Sequence, residues 1–256
     1  MKLTFLGTCA GTEPMPDRKH ASFVLEADGV LYWFDAGEGC SYTAHNLGID
    51  LLKVKKVMIS HPHIDHTGGL ANLIWNIRKV HYVRQSNADV SVDLYLPDLR
   101  IRDGMLTMLR CSDGERFSWE SRLHFHPVRD GLLFDDGTVR VSALHNLHIP
   151  TPVEQWRSFS FLIESQGKKI VYSGDVRSYY ELDGLIGDGC DCLILETGHF
   201  GIDDAFAYAK DRNIGKIFFT HNGREILNHP EASRQKIESL FGQKAVICFD
   251  GMAEIL

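Results

Sequence analysis

Ser60–Gly69 reads SHPHIDHTGG and places His61, His63, Asp65 and His66 within one short run. Three imidazoles and a carboxylate this close make a poor core. A buried polar group needs a partner, and a buried charge needs a counter-charge or a metal. The flanks argue against a free surface loop. VKKVMIS, from Val54 to Ser60, alternates and ends apolar, which predicts a strand delivering the cluster to a fixed place. Gly68-Gly69 followed by LANLIWNI predicts a tight turn into an amphipathic helix. A strand-to-helix junction carrying metal-competent side chains is the first sign of function.

Such a cluster cannot close a metal site alone, so further donors are expected where later strands end. VRVSALH is followed by His148 and itself ends in His145; KKIVYSGD ends in Asp175; KIFFTH ends in His221. One of His145 and His148 with His61, His63, His66, His221, Asp65 and Asp175 makes a donor set suited to two borderline divalent ions. Imidazole fits Zn, Fe or Mn, and a carboxylate can bridge two ions.

The gross composition sets the frame. The chain has 256 residues, 44% hydrophobic and 24% charged, as in ordinary globular proteins. No apolar run approaches the roughly 20 residues of a membrane span, and MKLTFLGT predicts a strand with a glycine turn rather than a secretory leader. The net charge of −7 favours neither nucleic acid nor an anionic membrane. Cys9, Cys40, Cys111, Cys190, Cys192 and Cys248 form no CxxC pair, which predicts reduced thiols and a cytoplasmic location.

Short predicted strands dominate both ends of the chain. Helices are expected over Gly68–Val83, Leu99–Leu109, Asp203–Asn213 and Glu231–Phe241. SFVLEADGVLYWFDAG is echoed by SFSFLIESQGKKIVYSGD, each a strand, a polar turn, a strand and an aspartate (Asp35, Asp175). VKKVMISH and GKIFFTH also look alike, each ending in histidine. Two halves on one plan predict an α/β fold: a single domain over 1–256, a four-layer αββα sandwich of two mixed sheets with outer helices and the site between the halves.

HPHIDH with a later histidine, SGD and a strand-terminal TH resembles the metallo-β-lactamase fold superfamily of metal-dependent hydrolases. MKLTFLGTCAGTEPMPDRKHAS, WFDAGEG and VMISHPHIDHTGGL are closest to its tRNase Z and phosphodiesterase branch. The resemblance covers most of the chain and is weakest over Arg84–Leu133. It implies that His61, His63 and His148 hold one metal, that Asp65, His66 and His221 hold the other, and that Asp175 bridges them. His148 is thereby favoured over His145. It also implies a catalytic role for Asp65 at the nucleophile and a proton-donating pair of His199 and Glu196. Here Glu196 sits only three residues before His199, closer than the family layout. Asp35 reads as a structural turn residue.

Two divalent ions, zinc first and Mn or Fe as alternatives, roughly 3.5–4 Å apart, would lower the pKa of a shared water from ~15.7 towards ~7. A phosphodiester or nucleotide of small size is the expected substrate, because the basic arm with which tRNase Z proteins grip tRNA is missing. Only Gln166-Gly167 joins Ser165 to Lys168. Precursor-tRNA 3′-end cleavage is the alternative, and a non-hydrolytic metal-binding or di-iron redox protein the alternative of another class. No membrane partner is expected; the resemblance adds a homodimer as an option. Two decoys remain. His124-Phe125-His126 reads as an exposed strand, and the PDRKHAS loop offers Arg18 and Ser22 as weak candidates for substrate contact.

Overall fold

The computed structural model describes residues 1–113, 117–150 and 156–256. Among them, strands β1 (Lys2–Gly7), β2 (Ser22–Ala27), β3 (Val30–Phe34), β4 (Val54–Met58), β5 (Val92–Leu96) and β6 (Leu123–Pro127) belong to a first sheet. Strands β7 (Gly131–Asp135), β8 (Val139–His145), β9 (Phe159–Ser165), β10 (Lys168–Tyr172), β11 (Cys190–Thr197), β12 (Ile214–Asn222) and β13 (Ala245–Ile247) form a second. The C-terminal β14 (Ala253–Ile255) returns to the first sheet beside β1. The helices are α1 (Cys40–Asn46), α2 (Ile64–Thr67), α3 (Leu70–Val83), α4 (Arg100–Asp113), α5 (Asp183–Ile186), α6 (Ile202–Ala209), α7 (Arg224–Asn228) and α8 (Pro230–Phe241).

Strand periodicity builds the layers. Successive strand residues face opposite sides of a sheet. In β3, Leu31 and Trp33 enter the core under α1 and α3, while Tyr32 and Phe34 enter the core between the sheets. In β12, Phe218 faces inward and Ile217 and Phe219 pack under α6 and α8. Three apolar cores follow, and the layers stack helix, sheet, sheet, helix. The strands thus need apolar residues on both faces, which is why they read as nearly continuous apolar runs.

Both sheets are mixed. β3 to β6 run parallel and β1 to β3 antiparallel; β10 to β13 run parallel and β7 to β10 antiparallel. The orders β1-β2-β3-β4-β5-β6 and β8-β9-β10-β11-β12-β13 match, so β2-β3 and β9-β10 hold equivalent places. The expected correspondence of VKKVMISH with GKIFFTH does not hold. β4 lies next to β3 as β11 lies next to β10, which makes β12 the counterpart of β5. Their shared terminal histidine is a coincidence of site chemistry.

The parallel strands end at one rim, where a crevice between sheets is the common ligand position. Backbone bonds join the halves there: Phe159 N–H donates to Ser60 O at 3.0 Å, and Asn222 N–H to Thr8 O at 2.7 Å. The β9–β10 hairpin closes through Gln166 (φ 49°) and Gly167 (φ 74°), the paired left-handed conformations of a two-residue turn. No helix among the described residues is long and apolar enough to cross a membrane.

Candidate metal centre

Local structure aims each donor. Past β4 the chain is caught by Asp35, which accepts from Ser60 N–H at 2.6 Å and from its hydroxyl at 2.7 Å. His61 follows, fully buried. The single turn of α2 puts Asp65 and His66 inside and leaves Ile64 77% exposed. His148 comes from the segment after β8, which is tied to Ser158 at Asn146 and at Ile149. Asp175 follows β10, and His221 lies near the end of β12 with φ 47°, a left-handed conformation that non-glycine residues rarely adopt. Two glycines allow close approach. A Cβ on Gly11 would lie 2.7 Å from Asp65 Oδ2, and one on Gly198 would lie 2.5 Å from His221 Nδ1.

Three donor groups result. In one, His61, His63, His148 and Asp175 each offer an atom within 4.8 Å of the others; in the second, Asp65, His66, His221 and Asp175 do. The third joins Asp175 and His221 to Glu196 and His199, so Asp175 belongs to all three. His61 Nε2 and His148 Nε2 lie 3.1 and 3.2 Å from His63 Nδ1. Asp175 Oδ2 is 3.6 Å from His61 Nε2 and 3.4 Å from His221 Nε2; Asp65 Oδ2 is 3.2 Å from His221 Nε2 and 3.5 Å from His66 Nε2. A tetrahedral shell with donors about 2.0–2.1 Å from its ion separates them by roughly 3.3 Å. His66 Nε2 and Asp175 Oδ1 are buried and make no hydrogen bond. Buried polar atoms are rarely left so. These residues fit a divalent metal ion.

The charges agree. Burial opposes ionisation of Asp175, but His221, His66 and His61 outweigh it and hold the carboxyl well below its ordinary range. Asp65 is likewise opposed by burial and still held at about 2, chiefly by the His221 hydrogen bond. Burial disfavours a proton on His221 and His66, yet the carboxylates win: His221 rises to about 10 and His66 lies well above its usual value. Desolvation instead lowers His61, His63 and His148. The carboxylates thus favour positive charge at His221 and His66. A divalent ion held by these residues would supply positive charge in place of protons.

In the third group, His199 Nδ1 lies 2.8 Å from Glu196 Oε2 and 3.9 Å from Asp175 Oδ2. Glu196 is fully buried, accepts from Val176 N–H at 2.8 Å, and approaches His221 Nδ1 at 3.6 Å. Close spacing in the chain is therefore no obstacle to the pair. The Glu196 hydrogen bond raises the pKa of His199, with burial opposing it.

Some residues lie elsewhere or do more than their sequence position suggests. His145 is drawn away by Asp130 (Nδ1 to Oδ2 2.6 Å) and stacks on Trp156 at 4.0 Å. His126 pairs with Asp93 at 2.9 Å on β6. Ser22 and Arg18 do not line the cluster: Ser22 bonds Asp35 O and Trp33 in the core, and Arg18 bonds Thr8 and Cys248 O. Asp35 is more than a turn residue, because its Oδ2 takes the proton of His66 Nδ1 at 2.8 Å. Carboxylates commonly orient ligand histidines in this way. Its signal was visible in WFDAGEG as the position equivalent to Asp175 in the repeated unit.

A family described as anti-Pycsar protein Apyc1 matches residues 1–196, most of the chain. The chain belongs to that family. Its fold is that of the metallo-β-lactamase superfamily. The metallo-β-lactamase fold protein YhfI from Bacillus subtilis superposes with a TM-score of 0.76 at 17% identity, covering 99% of this chain and 98% of that one. The short form of human tRNase Z superposes with a TM-score of 0.73 at 22% identity, covering 100% and 99%. By sequence, the chain is 33% identical over 172 residues to ribonuclease BN of Cronobacter sakazakii, across 66% of its own length. It spans 51% of that relative's length. This member of the Apyc1 family thus shares the metallo-β-lactamase fold with its structural neighbours and part of its sequence with a ribonuclease.

Proposed function

We propose that this chain is a metal-dependent phosphodiesterase acting on small phosphodiesters or nucleotides. The observation that carries the reading is the pair of donor groups sharing Asp175, beside the Glu196–His199 pair. His61, His63 and His148 would hold one divalent ion and Asp65, His66 and His221 the other, with Asp175 common to both. Two such ions, of which zinc suits the imidazole-rich set, supply an activated water and positive charge opposite the phosphoryl oxygens.

The chain's own residues do the rest. Asp65, ionised even when the site holds only protons, orients or accepts the proton of the attacking water. Glu196 fixes His199 through Nδ1, which leaves Nε2 to face substrate. A protonated His199 then gives its Nε2 proton to the departing alkoxide as the ester P–O bond breaks. A positioned acid of this kind contributes ~10²–10⁴ in rate. Cleavage of RNA 3′ ends is the second reading, favoured by relatives named ribonuclease. Against it stands the two-residue β9–β10 turn, which offers no basic arm.

The test uses zinc-loaded protein with bis(p-nitrophenyl) phosphate, 3′,5′-cyclic nucleotides and a precursor tRNA in parallel. Turnover of the small diesters with little cutting of tRNA is expected. Cutting at the tRNA 3′ end alone would favour the second reading, and inertness towards all three would end both.

A further inference from the structure

An open groove of about 450 Å³ runs along the outer side of the HPHIDH loop, lined by Pro62, Ile64 and Thr67 on one wall and by Met105 and Met108 of α4 on the other. Its polar groups are Asp98, Arg100 and Arg157. Asp98, only 7% exposed, accepts from Arg100 N–H at 2.9 Å, from Arg100 Nε at 3.0 Å and from Arg157 Nε at 3.0 Å. Among the described residues that line the groove, one carboxylate thus orients two guanidiniums, with one positive charge in excess. Arg100 gives both Nε and Nη2 to Asp98 whereas Arg157 gives only Nε, so the Nη atoms of Arg157 form the fork that suits phosphate oxygens.

Arg157 is also rooted between the two ligand-bearing segments. The next residue, Ser158, bonds Asn146 O and Ile149 N–H on either side of His148, and Phe159 N–H bonds Ser60 O beside His61. On the opposite wall, Pro62 and Ile64 flank His63. The groove is therefore joined through the chain to both donor-bearing segments, while the donors themselves do not line it.

We propose that Arg157 and Arg100, clamped by Asp98, form a second phosphate subsite, so that the site prefers substrates carrying a phosphate group besides the diester that is cut. Ile64 on one wall and Met105 and Met108 on the other pack the nucleoside between the two phosphates. This rests on the phosphodiesterase reading for the word substrate, but the subsite itself can be tested by binding.

The zinc-loaded protein is titrated calorimetrically with adenosine 3′,5′-bisphosphate and with adenosine 5′-monophosphate, ligands without a diester to cleave. Wild-type protein should bind the bisphosphate at least about tenfold more tightly, as a charge-assisted arginine–phosphate contact allows. Arg157→Gln and Arg100→Gln should each reduce that ratio severalfold, and Arg157→Lys, which keeps charge but loses the fork, should retain part of it. No preference in wild-type protein, or an unchanged ratio in folded Arg157→Gln and Arg157→Lys proteins, overturns the proposal. An arginine-dependent preference in a protein that cleaves no diester would keep the subsite and discard the phosphodiesterase reading; cleavage without the preference would do the reverse.

Discussion

Asp35 Oδ2 receives three hydrogen bonds at once: from His66 Nδ1 at 2.8 Å, from the Ser60 hydroxyl at 2.7 Å and from the Tyr172 hydroxyl at 2.6 Å. The bond to Nδ1 fixes the tautomer of His66 and reserves Nε2 for the cluster. The bond from Tyr172, on β10, also ties the first sheet to the second. Asp35 has φ 54°, which asparagine tolerates as well as aspartate does. Asp35→Asn should therefore fold but weaken metal binding by roughly 10–100-fold, the usual cost of losing such a partner. Competition with a chelating dye reads this directly; wild-type affinity would rule out the orienting role.

The Glu196–His199 pair makes a pH prediction. Because Glu196 raises the pKa of His199, the imidazolium persists to higher pH than a free histidine would. If that imidazolium is the proton donor, kcat falls as pH rises through its pKa. Glu196→Gln removes the raising partner, so the alkaline limb should move to lower pH. His199→Ala should lower kcat by ~10²–10⁴ with the metal content unchanged. A pH–rate profile of Glu196→Gln that overlays the wild type would argue against the pair.

Gly11 is predicted to be intolerant for a steric reason. The Cβ of Gly11→Ala would stand 2.7 Å from Asp65 Oδ2 and 3.0 Å from its Cγ, so the carboxylate or the loop must shift. Weakened metal binding and reduced kcat are expected, with a melting temperature near that of the wild type because the loop lies at the rim. Unchanged metal affinity would show that the loop gives way at no cost.

How much of this was legible beforehand follows the chemistry of each residue. His61, His63, Asp65 and His66 stand out because no core wants them together. Asp175 and His221 stand out because strands should not end on them by chance. Asp35 reads as a turn because its hydrogen bonds go to distant residues, and only its place in the repeated unit, opposite Asp175, marks it. Asp98, Arg100 and Arg157 fall in or beyond the stretch with the weakest resemblance, and only folding brings them to one groove. The strand assignments were strongest where both faces are buried. The three-residue β13 and β14 carry too few positions to show a period. β4 and β12 were matched on a terminal histidine, whereas strand order follows the packing of the sheet.

Salt provides a further check on substrate class. A protein that grips a nucleic-acid backbone loses affinity steeply as salt rises, because bound counterions are released in proportion to the phosphates contacted. With a net charge of −7 and a two-residue β9–β10 turn, this chain should turn over bis(p-nitrophenyl) phosphate with KM changing less than about threefold between 50 and 200 mM salt. A fall of several orders of magnitude in affinity for RNA across that range, with RNA bound tightly at low salt, would point to the polynucleotide reading instead.

The central claim is that scattered side chains meet at one rim to hold a pair of cations through a shared carboxylate. Zinc stoichiometry by equilibrium dialysis tests it most directly. Two ions per chain are predicted for the wild type and for His145→Ala, loss of one ion for His148→Ala, and weakened binding of both for Asp175→Ala. Zinc lost with His145→Ala but kept with His148→Ala, or two tightly held ions in Asp175→Ala, would contradict the account.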